Sequence, residues 1–233
     1  MIPKIIHYVW VGGNPKSKEI QRCMKTWQKH LKDYKIIEWN ESNFDMNQNE
    51  YLRQAYKAKK WAFVSDYIRA KVIYEMGGIY LDTDVIVLDD LKDLLSNQVF
   101  VGFENPENPF TAVFGAVPHH PLIKKMLDYY DNRNFTFDKN DQLAGVNTVS
   151  VSKILIDDYG VAPNNDEQFI MRDRIHVYSD NVLCNPSIHS KTIHVFTGTW
   201  MEGEKPLKRK IVTSLKTRIR NKLEAGLYAL LFK

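Results

Sequence analysis

The chain is poor in cysteine, with only Cys23 and Cys184 in 233 residues. That pair matches no metal-ligand spacing and no disulfide framework, so a reducing compartment is expected. Long apolar runs are also missing: no stretch reaches the roughly 18 apolar residues of a membrane span. The opening Met1-Ile2-Pro3-Lys4-Ile5-Ile6-His7 lacks a basic segment followed by an apolar one, so no secretory leader is read. A cytoplasmic protein is the resulting expectation. No internal repeat or low-complexity linker interrupts the chain, and 44% hydrophobic with 26% charged residues describes one globular domain with an appendage.

A formal charge of +4 conceals an asymmetry. From Lys205 to Lys233 nine Lys or Arg face a single acid, Glu224, a net +8 that leaves −4 for the first 204 residues. A mildly acidic body with a basic tail points to a local anionic partner at the C-terminus and argues against a nucleic-acid-binding protein. The expected units are therefore 1–204, a body, and 205–233, a basic tail.

Lys4 to Val11 is rich in β-branched and aromatic residues and stops at Gly12-Gly13-Asn14-Pro15, which reads as a buried strand and a turn. Ile20, Met24, Trp27 and Leu31 follow at helical spacing after a Ser17 cap, and Tyr34 to Trp39 reads as a second strand. This β-α-β order implies parallel pairing. A helix is expected from Trp61 to Met76, ended by Gly77-Gly78, with a short strand, Ile79 to Leu81, directly after it. Val85–Leu88, Val99–Phe103, Thr111–Val117 and Ile193–Phe196 read as further strands, Pro121–Tyr130 and Thr148–Tyr159 as helices.

The strand at Ile79 delivers Asp82-Thr83-Asp84. In extended chain, residues two apart share a face, so both carboxylates would converge on one hard cation such as magnesium or manganese. The plain alternative is a turn carrying solvated acids. Its position beyond an apolar strand favours a site, because ligands of parallel α/β sheets gather at the strands' carboxyl ends. Asp66 and Arg69, three apart on the preceding helix, are neighbours there and are read either as an exposed ion pair or as a carboxylate and guanidinium for sugar hydroxyls and phosphate.

Three blocks in order, Ile2-Pro3-Lys4-Ile5-Ile6-His7-Tyr8-Val9-Trp10-Val11-Gly12-Gly13, Ala62-Phe63-Val64-Ser65-Asp66-Tyr67-Ile68-Arg69 and Tyr74-Glu75-Met76-Gly77-Gly78-Ile79-Tyr80-Leu81-Asp82-Thr83-Asp84-Val85, resemble glycosyltransferase family 32. The resemblance covers about residues 2 to 200. It implies a GT-A type, Rossmann-like α/β fold with a mixed, mostly parallel sheet, followed here by a basic amphipathic C-terminal helix. It further implies a hexosyltransferase that uses a nucleotide sugar, Mn2+ or Mg2+, and retention of configuration. By the same resemblance Trp10 would stack on the nucleotide base, with Val9 beside it. Asp66 and Arg69 would hold the donor sugar and phosphate, with Tyr80 and Thr83 among the donor-binding residues. Asp82 and Asp84 would carry the metal, and with Arg69 form the catalytic set.

Ile193-His194-Val195-Phe196-Thr197-Gly198-Thr199-Trp200 is similar to the family's closing segment, with Thr199 where serine is common. His194 is thus a third candidate metal ligand or a core histidine, and Thr199 and Trp200 would cover the diphosphate. Thr111 and Ala112 fall where the family lines the donor-sugar pocket, Thr111 standing in place of an asparagine. A UDP-sugar is preferred to a GDP-sugar on the likeness to glucosylating toxins. A saccharide or lipid-linked acceptor, in surface polysaccharide synthesis, would complete the reaction.

The tail places Val212, Leu215, Ile219, Leu223, Leu227 and Leu230 at three- and four-residue steps among cations. Such a helix lies on an anionic membrane surface or packs on the domain. Two other functional classes stay open. A metal-dependent phosphohydrolase would need more acids or histidines at strand ends than His194 alone, and a non-catalytic nucleotide-sugar-binding module would bind donor without manganese.

Overall fold

The computed structural model describes residues 1–137, 147–199 and 206–232. The chain opens with β1 (Ile5–Val9), α1 (Lys18–His30) and β2 (Lys35–Trp39). The Ser17 side chain accepts the Ile20 N–H at 3.3 Å, the expected cap. Next come α2 (Glu50–Lys57), α3 (Trp61–Met76), β3 (Gly78–Leu81), β4 (Val85–Val87), β5 (Val99–Gly102) and β6 (Val113–Ala116). Then follow α4 (Pro121–Asp128), α5 (Asn147–Tyr159), β7 (Gln168–Ile170), β8 (Ile175–Tyr178), the single turn α6 (Asp180–Leu183) and β9 (Thr192–His194). Two helices close the described chain, α7 (Leu207–Lys216) and α8 (Lys222–Phe232).

A seven-stranded sheet in the order β2-β1-β3-β6-β5-β8-β7 forms the centre. Its pairings are parallel at β1–β2, β1–β3 and β5–β8 and antiparallel elsewhere, so β6 and β7 run against the other five strands. The expected mixed, mostly one-directional α/β sheet is thus present. Side-chain alternation divides the core in two. Tyr80, Phe114, Val99 and Val101 pack with α2 to α5. Ile79, Leu81, Phe100 and Val113 pack with Trp27 and Leu31 of the α1 side. Apart from its ends, α3 is buried on nearly every side, with Phe63, Val64, Ile68, Val72 and Ile73 among its covered residues.

Gly77 and Gly78 make the tight passage from α3 into β3. Both take positive φ, 62° and 109°, a region that side chains disfavour. A Cβ at Gly78 would stand 2.7 Å from the Ile5 carbonyl oxygen and 2.9 Å from Nε2 of His7. The helix therefore stops one residue before the strand whose end carries the acids.

The tail differs from the expected single helix. The chain breaks between α7 and α8, where Asn221 caps the second helix: the Glu224 N–H donates to Asn221 Oδ1 at 3.0 Å, and Glu224 Oε2 accepts the Arg220 N–H at 2.8 Å. This is a capping box displaced by one residue on its return arm. Ile219 and Ala225 join Cys23, Ile86, Leu88, Ile193 and Val195 in a third core cluster. The tail's inner face is thereby part of the body's packing.

His7 is fully buried and accepts from Trp39 Nε1 at 3.0 Å through Nδ1, while its Nε2 donates to the Gly77 carbonyl at 2.9 Å. Burial is the main reason its pKa falls to about 4, with the Gly77 hydrogen bond a partial offset. The unfolded chain takes up this proton near pH 6.5 and the native one near 4, so stability is intact above pH 6.5 and declines as pH falls toward 4. Urea unfolding at pH 7 and pH 4.5 is expected to show roughly 2 to 3 kcal/mol of loss attributable to this residue, and His7→Gln is expected to flatten that part of the profile.

Candidate metal and nucleotide site

A cavity of about 540 Å³ opens at the carboxyl end of β3. Val9, Trp10, Asp66, Arg69, Tyr80, Asp82, Thr83, Asp84, His194 and Thr199 all line it. Thr111 and Ala112 do not. They are 1% and 2% exposed, directly before β6, and are not among the residues that line the cavity. Trp200 lies outside the described residues.

The two acids do not meet as alternate residues of an extended strand. Asp82 to Asp84 form a turn between β3 and β4, closed by the Val85 N–H donating to the Asp82 carbonyl at 3.0 Å. β4 then pairs antiparallel with β9, setting Val85 against His194. This register carries His194 Nε2 to 3.3 Å from Asp84 Oδ1. Single ligand atoms of Asp82, Asp84 and His194 all lie within 4.8 Å of one another. Two carboxylates and an imidazole form a donor set suited to a manganese-like divalent cation, and more tolerant of manganese than of strictly oxygen-seeking calcium. The side chain of Asp82, 25% exposed, keeps an open face toward the cavity.

Asp84 is held from its other side by the closing segment. Thr197 donates its N–H at 2.8 Å and its hydroxyl at 2.9 Å to Oδ2. Burial disfavours charge on both Asp84 and His194. Their mutual attraction and Thr197 override it, holding the Asp84 carboxyl well below the usual range and the His194 imidazole well above its own. Bringing a cation into this arrangement therefore has to displace a proton from His194.

Arg69 is the second organising charge. One guanidinium nitrogen stands 3.1 Å from Asp66 Oδ1 and 3.1 Å from Asp82 Oδ1, and 3.2 Å from the Ser65 hydroxyl. The ring of Tyr80 lies beneath it, 4.6 Å away. Asp66 also accepts the Asn147 N–H at 3.0 Å, while Asn147 Nδ2 donates to the Asp66 carbonyl at 3.1 Å. Burial pushes the Asp66 carboxyl up to about 6 despite Arg69, and burial with the Asp84 charge raises Asp82. The exposed ion pair considered from spacing is thus a buried bridge between helix and acidic turn.

Several cavity residues escaped sequence reasoning. Thr197 sits inside the quoted closing block and had no assigned role. Glu104 lies two residues past the end of β5, and an acid at a strand's carboxyl end is the signal for it. Trp61 was overlooked because it reads as an ordinary first residue of α3; Gly12, at φ 86°, has no room for a Cβ because the Trp61 ring would lie 2.6 Å from it.

Removing Arg69 leaves the buried Asp66 carboxylate and the partly exposed Asp82 carboxylate without their counter-charge. Arg69→Ala is expected to cost about 3 to 5 kcal/mol, measured by chemical denaturation at pH 7. A loss below about 1 kcal/mol would contradict this reading of the bridge.

The family described as "Glycosyltransferase sugar-binding region containing DXD motif" matches residues 17–101. An uncharacterized glycosyltransferase of Acanthamoeba polyphaga mimivirus is 30% identical over 136 residues, covering 53% of this chain and 53% of that protein. Inositol phosphoceramide mannosyltransferase 2 of Schizosaccharomyces pombe is 30% identical over 135 residues, 54% of this chain and 38% of that enzyme. The match spans about half or less of the length of these relatives. Among solved structures, the PaToxG glycosyltransferase aligns at 18% identity with a TM-score of 0.49, over 68% of this chain and 70% of that one. Residues 17–101, which carry Asp82-Thr83-Asp84, are thus similar to the glycosyltransferase sugar-binding region that contains a DXD motif.

Proposed function

We propose that the chain transfers a hexose from a nucleotide sugar to a saccharide or lipid-linked acceptor, with a divalent cation held by Asp82, Asp84 and His194. The observation that carries this reading is the meeting of a DXD turn, a distant histidine and the Asp66–Arg69 bridge in one cavity lined by Trp10. A bound Mn2+ or Mg2+ would supply Lewis-acid stabilisation of the leaving diphosphate. The residues do the rest. Trp10, its indole N–H donated to the Asn14 carbonyl at 2.7 Å, offers a fixed ring for the base. Arg69, whose Nε is buried without a partner, has a donor left for phosphate or sugar oxygens. Asp66 accepts from sugar hydroxyls, and Thr199 caps the diphosphate.

Retention of configuration follows from the resemblance alone. A UDP-sugar is the first donor to test, and a mannosyl donor the second, because the fission-yeast relative is named a mannosyltransferase. Among the described residues only one acid, Glu104, joins His194 at a strand end near the cluster. The extra ligand set of a two-metal phosphohydrolase is not assembled there.

We propose in addition that the tail rests on an anionic lipid surface, placing the enzyme peripherally on the inner face of the cell membrane. Leu223, Leu227, Leu230 and Leu231 follow each other at helical spacing on the solvent side of α8, the first 82% and the third 84% exposed. Exposed Lys210, Arg218 and Arg220 lie on the same segment. An apolar stripe facing water, flanked by cations, suits the headgroup boundary of anionic lipid. No helix among the described residues is long and apolar enough to cross a membrane. The relative named for inositol phosphoceramide carries a lipid in its name, which agrees with an acceptor at a lipid surface.

Two measurements test these readings. Release of nucleoside diphosphate from UDP-glucose, UDP-galactose, UDP-N-acetylglucosamine and GDP-mannose is expected to need Mn2+ and to stop with chelator. Asp84→Ala is expected to lower it at least about a hundredfold, since metal stabilisation is worth several kcal/mol; undiminished turnover would refute the metal role. For the tail, a variant with Leu223→Ser, Leu227→Ser and Leu230→Ser is expected to fold normally and to lose about tenfold or more of its binding to phosphatidylglycerol vesicles. Equal sedimentation of variant and parent would refute it. Deleting the whole tail is the poorer test, because it strips Ile219 and Ala225 from the core.

A further inference from the structure

We propose that Glu104 is the positioning residue for His194, its carboxylate accepting the Nδ1 hydrogen while Nε2 faces the acidic pair. The inference rests on the reading of His194 as a metal ligand and adds a residue to it.

The two ring nitrogens of His194 are in different surroundings. Nε2 is the one at the cluster, 3.3 Å from Asp84 Oδ1. A neutral imidazole that offers the Nε2 lone pair to a cation must carry its hydrogen on Nδ1. That nitrogen is buried and has no hydrogen-bond partner. A buried donor left unpaired weakens whatever state requires it. The carboxylate of Glu104 stands beside it, with Oε2 3.7 Å from Nδ1, a gap that a small side-chain rotation closes. Ligating histidines are commonly oriented in this way, by a carboxylate on the nitrogen remote from the metal.

The surroundings fix both partners and leave little else to move. The ring of Phe196 packs against the imidazole with centroids 3.9 Å apart. Lys216 of α7 donates to the His194 carbonyl at 3.3 Å, and the His194 N–H donates to the Cys184 carbonyl at 2.8 Å. The Glu104 backbone is tied down as well. Its N–H donates to the Asn108 carbonyl at 2.9 Å, and the preceding Phe103 N–H donates to the Tyr178 carbonyl at 2.9 Å. Only the Glu104 side chain, 19% exposed at the cavity wall, is left to adjust. The thiol of Cys184, which donates to the Glu104 backbone carbonyl at 3.8 Å, is the competing neighbour of the imidazole. Sulfur is a weak acceptor, and a charged carboxylate is the stronger partner for an N–H.

The test is Mn2+ binding to the intact chain, followed as loss of the free-ion electron paramagnetic resonance signal during titration with the metal alone. Glu104→Ala is expected to weaken binding about tenfold, in line with other carboxylates behind ligating histidines. Glu104→Gln, which keeps an acceptor oxygen without the charge, is expected to stay within about threefold of the parent. Glu107→Ala, an exposed acid on the same turn, is the control for net charge and should change nothing. Unaltered affinity in Glu104→Ala overturns the proposal. So does an equal loss in the Ala and Gln variants, which would make Glu104 a mere source of charge, or a loss confined to Cys184→Ala, which would make the thiol the Nδ1 partner. His194→Ala separates the two levels of the argument: if it too leaves affinity unchanged, the histidine is no ligand and the underlying reading fails. If it weakens binding while Glu104→Ala does not, only the positioning role falls. Melting temperatures of all variants confirm that each is folded.

Discussion

The contact on which the site depends is the pairing of β4 with β9, which brings His194 and Thr197 onto the Asp84 carboxylate. β4 is only three residues long and begins immediately after the acidic turn. Its partner comes from near the end of the body. Without that register Asp84 would be an acid on a loop, and the closing segment would have no fixed relation to the sheet. With it, one carboxylate has both oxygens engaged and the cavity gains a wall.

Charge balance then gives the arrangement its chemical direction. Asp66, Asp82 and Asp84 gather around one guanidinium and one imidazole, Arg69 and His194. Buried groups of this kind are costly unless paired, and the pairs present leave one carboxylate in excess. A divalent cation that displaces the His194 proton cancels the remaining negative charge and so admits an anionic diphosphate. Arg69 links the two halves, since one of its nitrogens bridges the helix acid and the turn acid. A buried cluster of charges with shifted titration, set in a cavity where apolar residues would pack more stably, is the usual mark of a functional site.

Much of this was readable beforehand, for identifiable reasons. β1, α1 and β2 declared themselves through β-branched runs, helical spacing and the Ser17 cap, and α3 to β3 through Gly77-Gly78. The short α2 and the small strands β7 and β8 carry weaker patterns, with Phe169 half exposed on the edge strand, and were not read. The DXD turn was placed correctly but given an extended geometry, because alternation within a strand and closure of a turn both bring residues two apart together. The tail's apolar spacing ran through its break unchanged, and Asn221 with Glu224 was the cap signal that went unread. Thr111 and Ala112 are buried and do not line the cavity, a placement that their position in the chain alone does not reveal. Contacts such as His194 with Glu104 depend on the pairing of remote strands and have no local signature.

Where a cation sits decides what this cluster does. Crystals soaked with Mn2+ and a nucleoside diphosphate, measured for anomalous scattering at the manganese edge, test that directly. The predicted result is one strong peak between the carboxylates of Asp82 and Asp84 and Nε2 of His194, in contact with the diphosphate. A peak elsewhere, or diphosphate bound in this cavity with no metal between it and those acids, would contradict the account.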